Sequence, residues 1–303
     1  MAKIAVELER ALARRAAYGA PGQATPRELA RGEGWAVADV LCTAGPHDRP
    51  FEEQHTDIRI AIVAAGSFQY RTTAGREMMT PGSLLLGATG GCYECGHEHG
   101  TGDRCLSFGY TPDYFERLAA DAGVGSSAAM FRTGRLPPLP ALSLPISQAL
   151  AGLQGDATAS WEEIGVHLAV HTLQQLEKTP SVMSAPSPEA LARVTAAVRR
   201  IERDPGGDYS LSALAQEAAL SSYHFLRTFE RVTGVTPHQY VLRVRLREAA
   251  LRLATEQDRV TDIAFGCGFG DVSNFNHAFR AEFGLSPRAY RQRTQRKTRN
   301  APV

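Results

Sequence analysis

The chain has 303 residues, 43% of them hydrophobic and 21% charged, and it is long enough for two domains with separate cores. Its net charge of +1 hides an asymmetry: residues 188–303 carry 18 Lys and Arg against 12 Asp and Glu, which leaves 15 and 20 for residues 1–187. No apolar run is long enough to span a membrane. The N-terminus lacks the apolar segment of a secretory signal peptide, and the number of cysteines, five, is odd, so we do not expect a disulfide framework. We therefore expect a cytoplasmic protein with a basic, phosphate-binding C-terminal part.

The N-terminal part begins with an arm and continues with short strands. Residues 1–34 predict an amphipathic helix or arm and then, beyond Pro21, a poorly ordered connector rich in Gly, Pro and Arg. From Trp35, short apolar runs separated by turn residues, with alternation at Ile58 and Ile60, predict antiparallel strands. Strands at this spacing indicate a small β-barrel or sandwich.

A cluster of cysteines and histidines carries the second chemical signal. Cys92 and Cys95 have the C-x-x-C spacing that lets two thiolates meet one tetrahedral metal, and His97, His99 and Cys105 follow within ten residues. Both histidines are expected on one side of a strand, with a hairpin that returns Cys105 beside them. The favoured set is the three cysteines with one histidine, as a site for zinc or a soft heavy metal.

Other interpretations of this cluster stay open. The zinc could be a structural staple, or the site could sense a metal or an oxidant through Cys92 and Cys95, or the cysteines could line a pocket rim without a ligand. Cys42, in an apolar run, is interpreted as a core residue, and Cys267 as a residue at a helix crossing. His55 is interpreted as a surface or core residue that could line the barrel mouth.

Helices and a linker follow the strands. A short helix after Tyr110 is followed by a Pro- and Gly-rich loop over 126–144 and by helical spacing over 145–178. Residues 179–188 form a linker rich in Pro and Ser.

The C-terminal part contains an internal repeat, Leu211–Tyr240 and Val260–Tyr290. Each copy predicts a short helix, a tight turn and a longer amphipathic helix that a glycine ends. The repeat preserves two phenylalanines four residues apart, Phe225 and Phe229 in the first copy, which predicts a buried face opposite a polar one. This is the pattern of a helix-turn-helix, whose second helix enters the major groove. Two helical hairpins without DNA-binding function are the alternative.

These motifs resemble the DNA-binding domain of the AraC/XylS family of transcription regulators, across Pro188–Arg293. The stretch from Trp35 to Phe108 resembles, more loosely, the cupin-like sensor of the same family. The resemblance implies two helix-turn-helix units that read successive major grooves of double-stranded operator DNA. The helices over 145–178 would then form a homodimer interface, unless they simply cover the core of the barrel. The DNA-binding residues that the resemblance and the basic outer face indicate are Ser221, Tyr223, Arg227, Arg231, Val272, Ser273, Asn276, His277 and Arg280.

The sequence therefore predicts an α+β protein with an N-terminal cupin-like β-barrel, following helices and an all-α C-terminal domain with two helix-turn-helix motifs. The predicted divisions are an arm (1–34), a sensor and helical dimerisation domain (35–178), a linker (179–188), a DNA-binding domain (189–295) and a basic tail (296–303). We expect a DNA-binding transcription regulator with a zinc or thiol site, a metal or small-molecule effector and RNA polymerase as a further candidate partner. The alternatives are a small-molecule-responsive regulator with structural zinc or a redox Cys pair, a cupin-type metal-dependent enzyme and a small-molecule carrier.

Overall fold

The computed structural model describes residues 2–124, 131–155, 159–177 and 187–299. Within them an antiparallel-sheet domain with helices precedes a helical domain, which confirms the predicted α+β class. The strands are β1 Ala24–Gly32, β2 Trp35–Cys42, β3 Phe51–Gln54, β4 Ile58–Gly66, β5 Phe68–Thr72, β6 Gly75–Met79, β7 Leu84–Gly87, β8 Cys92–Gly96, β9 Asp103–Tyr110 and β10 Arg135–Leu136. The helices are α1 Ala2–Tyr18, α2 Pro112–Asp121, α3 Pro140–Leu153, α4 Trp161–Leu176, α5 Pro188–Arg203, α6 Leu211–Glu217, α7 Ser222–Thr233, α8 Pro237–Thr255, α9 Val260–Gly266, α10 Val272–Phe283 and α11 Pro287–Arg299. No helix in the described ranges has the length and apolarity that crossing a membrane requires.

The strands form two sheets that pack face to face. One has the order β1-β2-β9-β4-β7-β10 and the other the order β3-β8-β5-β6, with antiparallel pairing between neighbouring strands. Val63 and Cys105 from the first sheet share an apolar cluster with Tyr70 and Cys95 from the second. This interior lies between the two sheets of the N-terminal domain, which is called the sensor domain below after its predicted role.

Strand β4 is buried on both of its faces. Ile60 and Ile62 pack into a cluster that contains residues of α1, α2, α3 and α4, whereas Ala61 and Val63 face the second sheet. Because alternate residues of a strand point to opposite faces, this strand separates a helical layer from the interior between the sheets. The domain therefore has three layers, which explains why the β4 sequence is apolar almost throughout.

The first strand is absent from the sequence-based prediction. Residues beyond Pro21 were expected to be a poorly ordered connector, and this expectation is wrong, since Ala24–Gly32 pairs with β2 from Ala24↔Cys42 to Gly32↔Trp35. Most of its side chains are exposed, so it has no apolar alternation. Backbone hydrogen bonds to β2 hold this edge strand, and because every residue type can form them, the sequence does not reveal them.

Helices α3 and α4 cover the six-stranded sheet. Their residues Leu142, Ile146 and Ile164 lie in one cluster with sheet residues. Helix α3 begins at Pro140, where the missing N–H costs nothing, so the loop predicted over 126–144 ends earlier than expected. The packing supports the alternative in which these helices complete the core of the barrel. Of the predicted linker, residues 179–186 lie outside the described residues.

The C-terminal domain has two apolar cores that one long helix joins. Tyr240 and Val244 of α8 pack in the core of the first helix-turn-helix unit, α6–α7. Leu246 and Leu253 of the same helix pack in the core of the second unit, α9–α10. A single rigid helix thus fixes the relative placement of both units, with Cys267 fully buried in the second core.

The sensor domain contacts the C-terminal ends of both α7 and α10. The Arg135 guanidinium donates a hydrogen bond to the carbonyl of Thr233, the last residue of α7, at 2.9 Å. The Ser143 hydroxyl donates to the carboxylate of Glu282 near the end of α10. Arg243 of α8 donates to the carbonyl of Pro138. The segment 135–143 therefore touches both helix-turn-helix units at once.

Candidate nucleic-acid interface and sensor interior

The polar face of α7 is defined by its buried face. Phe225 and Phe229 are fully buried, with ring centroids 5.6 Å apart. Residues at other helical positions are turned outward, and Tyr223 is 68% exposed, with Arg227 and Arg231 also exposed. This surface combines an aromatic hydroxyl with two guanidinium groups, which can donate hydrogen bonds to phosphates and base edges.

Capping residues set both ends of α7. The Ser221 hydroxyl accepts the backbone N–H of His224 at 3.3 Å, so this predicted DNA-binding residue is also the N-cap. Its hydroxyl hydrogen can still be donated to a phosphate. Gly234 ends the helix with φ of +80°, a left-handed conformation that glycine adopts without strain. The first turn has no acidic residue, so the partial positive charge of the helix N-terminus is uncompensated.

Helix α10 repeats this construction with different polar groups. Phe275 and Phe279 are fully buried, with centroids 5.5 Å apart, and the Asp271 carboxylate accepts the N–H of Asn274 at 2.7 Å as the N-cap. Val272 is half-buried beside this cap. The remaining predicted DNA-binding residues of this helix are all exposed, namely Ser273, Asn276, His277 and Arg280. This face has one permanent cation and is otherwise neutral and polar.

Comparison with known proteins agrees with this geometry. A helix-turn-helix domain family matches residues 214–293, which include nearly all of both units. The HTH-type transcriptional activator RhaS of Klebsiella pneumoniae is 29% identical over 257 residues, which cover 80% of this chain and 88% of that protein. Residues 214–293 therefore form an AraC-type helix-turn-helix domain, and the chain is similar to a transcriptional activator along most of its length. It is thus a DNA-binding transcription regulator.

Two further similarities cover shorter parts of the chain. RhaS of Escherichia fergusonii is 46% identical over 83 residues, which cover 27% of this chain and 30% of that relative. The solved DNA-binding domain of the transcriptional factor AdpA, in complex with a target DNA, is 27% identical. That alignment covers 36% of this chain and 98% of the AdpA domain, with a TM-score of 0.35.

In the sensor of the regulator, the predicted C-x-x-C pair does not converge. Cys92 and Cys95 lie in β8, where residues an odd number apart face opposite sides of the sheet. Accordingly Cys92 is exposed and Cys95 is buried. The two thiols therefore point to opposite faces of an extended strand, which disagrees with the expectation that both bind one metal.

The other predicted ligands are also divided. His97 and His99 follow the end of β8 in a turn and not in a strand as expected; the side chain of His97 is buried, whereas that of His99 is 26% exposed. Cys105 is buried in β9. Among the described residues, the ligand atoms close enough for one metal come from Cys42, His97 and Asp103. Only His97 belongs to both this group and the predicted set.

Sheet register brings this group together. Cys42 at the end of β2 pairs directly with Asp103 at the start of β9. His97 Nε2 lies 2.7 Å from Asp103 Oδ1, and the Cys105 thiol donates to Asp103 Oδ2 at 3.3 Å. Sequence reasoning assigned Cys42 to the core and left Asp103 without a role. Only the pairing of two strands about sixty residues apart places them side by side.

The buried thiols are poor nucleophiles. Burial, reinforced by the charge of Asp103, raises the pKa of Cys42 to about 12. The same two causes raise the pKa values of Cys95 and Cys105 well above the ordinary thiol range. Because the thiolate is the form that reacts with oxidants, these cysteines are protected from oxidation as they stand.

A second polar cluster occupies the interior near His55. His55 Nε2 lies 2.7 Å from the Tyr70 hydroxyl, and its ring stacks on Tyr93 with centroids 4.1 Å apart. Burial, together with the positive charge of Arg59, lowers the pKa of His55 to about 4. This histidine is therefore a neutral core residue at pH 7, which agrees with one of the two sequence interpretations.

Proposed function

We propose that this regulator binds a double-stranded operator by inserting α7 and α10 into successive major grooves. The observation that carries the proposal is the same in both units: a pair of phenylalanines holds one face of the helix in the core, so that its polar face is turned to solvent. In α7 this face presents Tyr223 and Arg227, and in α10 it presents Asn276 and His277. These side chains can pair with base edges.

Arginines on the same faces supply the sequence-independent part of the affinity. Arg231 near the end of α7 and Arg280 in α10 are exposed and suited to phosphates. The C-terminal part of the chain has an excess of Lys and Arg, and its positive electrostatic potential attracts the phosphates of DNA. Phosphate contacts position the two helices, and the polar residues of α7 and α10 then determine which sequence is bound.

The sensor controls the operator complex through the segment 135–143. This segment contacts the ends of α7 and α10, so a small displacement of β10 or α3 changes the placement of both reading helices. An effector shifts the equilibrium only if it binds one arrangement more tightly than the other. A homodimer, formed through the N-terminal domain with half-buried Val166 and Val170 of α4 at its surface, would double the number of reading helices. RNA polymerase is the further partner expected of an activator.

The signal we favour is a metal ion bound between the sheets. The concentration of sulfur, imidazole and carboxylate groups around Asp103 supports a metal, and the raised pKa values of the buried thiols argue against an oxidant. A small-molecule effector is the second candidate. A cavity of about 560 Å³ lies where α1 and the sensor meet the end of α5, lined by Leu8, Val198 and Arg203 among others.

The operator contact is tested by Arg227→Ala in the full-length protein. We expect affinity for the operator to fall by about 1–3 kcal/mol, because the guanidinium contacts a base or a phosphate. The measurement is a fluorescence-anisotropy titration at fixed salt, against the operator recovered from a survey of bound genomic DNA.

The matched control is Arg10→Ala, which removes the same charge from an exposed position on α1. Its operator affinity should equal that of the wild type. If Arg227→Ala also bound like the wild type, α7 would not be a reading helix.

A further inference from the structure

The interior of the sensor contains a group of ligand atoms that the C-x-x-C motif does not indicate. We propose that Cys42, His97 and Asp103, with Cys105 as the fourth ligand, form a tetrahedral site for Zn²⁺ or another thiophilic divalent cation. This site would be where the sensor domain binds its signal, and its role in regulation rests on the function proposed above. It predicts that Cys92, in spite of its motif, takes no part in the site.

The geometry of the group is close to that of a bound metal. One ligand atom from each of Cys42, His97 and Asp103 lies within 4.8 Å of the others. Cys105 Sγ lies 3.3 Å from Asp103 Oδ2. In tetrahedral zinc sites, bonds of about 2.3 Å to sulfur and about 2.0 Å to nitrogen separate the ligand atoms by roughly 3.5 Å. An inward movement of about an ångström or less per side chain therefore brings Cys42, His97 and Asp103 to ligand spacing, and Cys105 joins the group through its contact with Asp103.

All four side chains are shielded from water. Cys42, His97, Asp103 and Cys105 are each between 3% and 6% exposed. A carboxylate at such depth is costly unless a positive charge compensates it. Asp103 contacts the imidazole of His97 and the thiol of Cys105, and neither group carries a permanent positive charge. A divalent cation supplies the compensating charge and stabilises the thiolates as well.

The imidazole has an unused nitrogen in the same place. His97 Nδ1 is buried and has no hydrogen-bond partner, while Nε2 contacts Asp103. An orphaned ring nitrogen at this depth is unfavourable in a ligand-free site, since buried polar atoms are nearly always paired. Metal coordination through one ring nitrogen fixes the tautomer and leaves the other nitrogen as an N–H donor.

The donor set selects the class of ion. Two sulfurs, one imidazole nitrogen and one carboxylate oxygen suit zinc and disfavour magnesium and calcium, which prefer oxygen ligands. Cys95, on the opposite sheet, packs with Cys105 in the same cluster.

The site is connected to the DNA-binding domain by the turn that carries His97. Two residues beyond His97, the carbonyl of His99 accepts a hydrogen bond from Arg199 of α5 at 3.3 Å. Thr195 of α5 also donates to the sulfur of Met78 at 3.4 Å. Metal binding that repositions this turn therefore acts directly on α5, the first helix of the C-terminal domain.

The test is a titration of full-length metal-free protein with Co²⁺, without DNA. We expect about one equivalent to bind, with the intense visible bands of tetrahedral cobalt and a thiolate-to-cobalt charge-transfer band. Zn²⁺ should displace it. Absence of the thiolate band in the folded wild type would overturn the proposal.

Variants assign the ligands. Cys42→Ser and Asp103→Asn should weaken cobalt binding by more than about tenfold. The matched controls, Cys92→Ser at an exposed thiol and Cys267→Ser at a buried thiol of the other domain, should bind as the wild type does. If Cys42→Ser does not fold by circular dichroism, Cys105→Ser replaces it. Undiminished binding in the ligand variants, or loss in Cys92→Ser, would refute the assignment.

Operator binding by the metal-free protein is measured separately. If metal binds as expected and no operator is bound with or without it, the regulator proposal fails while the metal site stands. If the operator is bound and no metal is taken up, the metal site fails while the regulator proposal stands.

Discussion

The C-terminal domain and the sensor interior arrange their polar residues in opposite ways. In α7 and α10 the polar side chains are exposed, and aromatic rings such as Phe225 and Phe275 fill the core beneath them. Between the sheets the polar groups, including His55 and Asp103, are themselves buried. The first arrangement suits a large partner that arrives from solvent, such as a DNA duplex. The second suits a small ligand that replaces water.

The difference also determines how each region responds to substitution. Exposed polar residues contribute little to folding, so their removal affects binding alone. Buried polar groups contribute to folding and to ligand binding together, because an unpaired buried group is costly. The following experiments test this contrast, from the largest expected effect to the smallest.

The aromatic core of the second unit should be the most sensitive position. Phe275→Ala removes a fully buried ring that contacts Phe269 and Phe279, and the free energy of unfolding of the C-terminal domain should fall by about 3–5 kcal/mol. Chemical denaturation followed by circular dichroism measures it. His277→Ala, two residues away and exposed, should change stability by less than about 0.5 kcal/mol. Equal losses in both variants would contradict the contrast.

The sensor interior should lose stability in mild acid. Burial and Arg59 lower the pKa of His55 to about 4, against about 6.5 in the unfolded chain, so the unfolded state takes up the proton first. The free energy of unfolding should therefore fall as the pH drops from about 6.5 towards 4, by up to about 3 kcal/mol. Tyr70 and Tyr93, the aromatic groups facing the imidazole, stay neutral throughout this range.

The matched pair of variants for this pH dependence is His55→Gln and His47→Gln. Denaturation curves at several pH values should show a flatter profile for His55→Gln. His47 is exposed, and its replacement should leave the wild-type profile intact. An unchanged slope in His55→Gln would show that another buried group carries the acid sensitivity.

On the reading face of α10, Asn276→Ala should affect recognition and not folding. An amide can pair in bidentate fashion with adenine, so its loss should cost about 1–3 kcal/mol and relax specificity at one base pair. Selection of bound sequences from a random DNA pool measures this. Thermal stability should match that of the wild type, because the side chain is exposed. A variant with unaltered sequence preference would remove Asn276 from the base-reading set.

The smallest effect is expected for a phosphate contact. Arg231→Ala should weaken binding to all sequences alike and reduce the slope of log affinity against log salt by about 1. Anisotropy titrations at several salt concentrations provide the slope. Arg49→Ala, at an exposed position in the sensor, is the control with no expected change. A change in sequence preference in Arg231→Ala would instead place this residue at a base.

Most of the C-terminal domain was readable from the sequence. The spacing of Phe225 and Phe229 and the placement of Gly234 are local properties of one helix, and the structure places these residues in the core and at a left-handed cap. The second copy of the repeat has the same spacing of phenylalanines and glycine, and so supports the same prediction independently. Helical periodicity depends on neighbours within four residues, so the chain itself records it.

The sensor domain was less predictable because its contacts join residues that are far apart in the sequence. Most side chains of strand β1 are exposed, and the strand is held mainly by backbone pairing with β2. The C-x-x-C motif suggested two thiols on one metal, whereas pairing with β3 and β5 extends the motif as a strand with one thiol on each face. Cys42 reaches His97 and Asp103 only through the register of β2 on β9.

The sequence by itself determined the two helical pairs of the C-terminal repeat, their buried faces and the family that the chain resembles. The tertiary structure alone decided which thiols meet a histidine and a carboxylate, and where the sensor touches the ends of α7 and α10. Helix faces follow from covalent neighbours along the chain. Sheet register and domain packing join residues tens of positions apart, and these contacts exist only once the whole chain has folded.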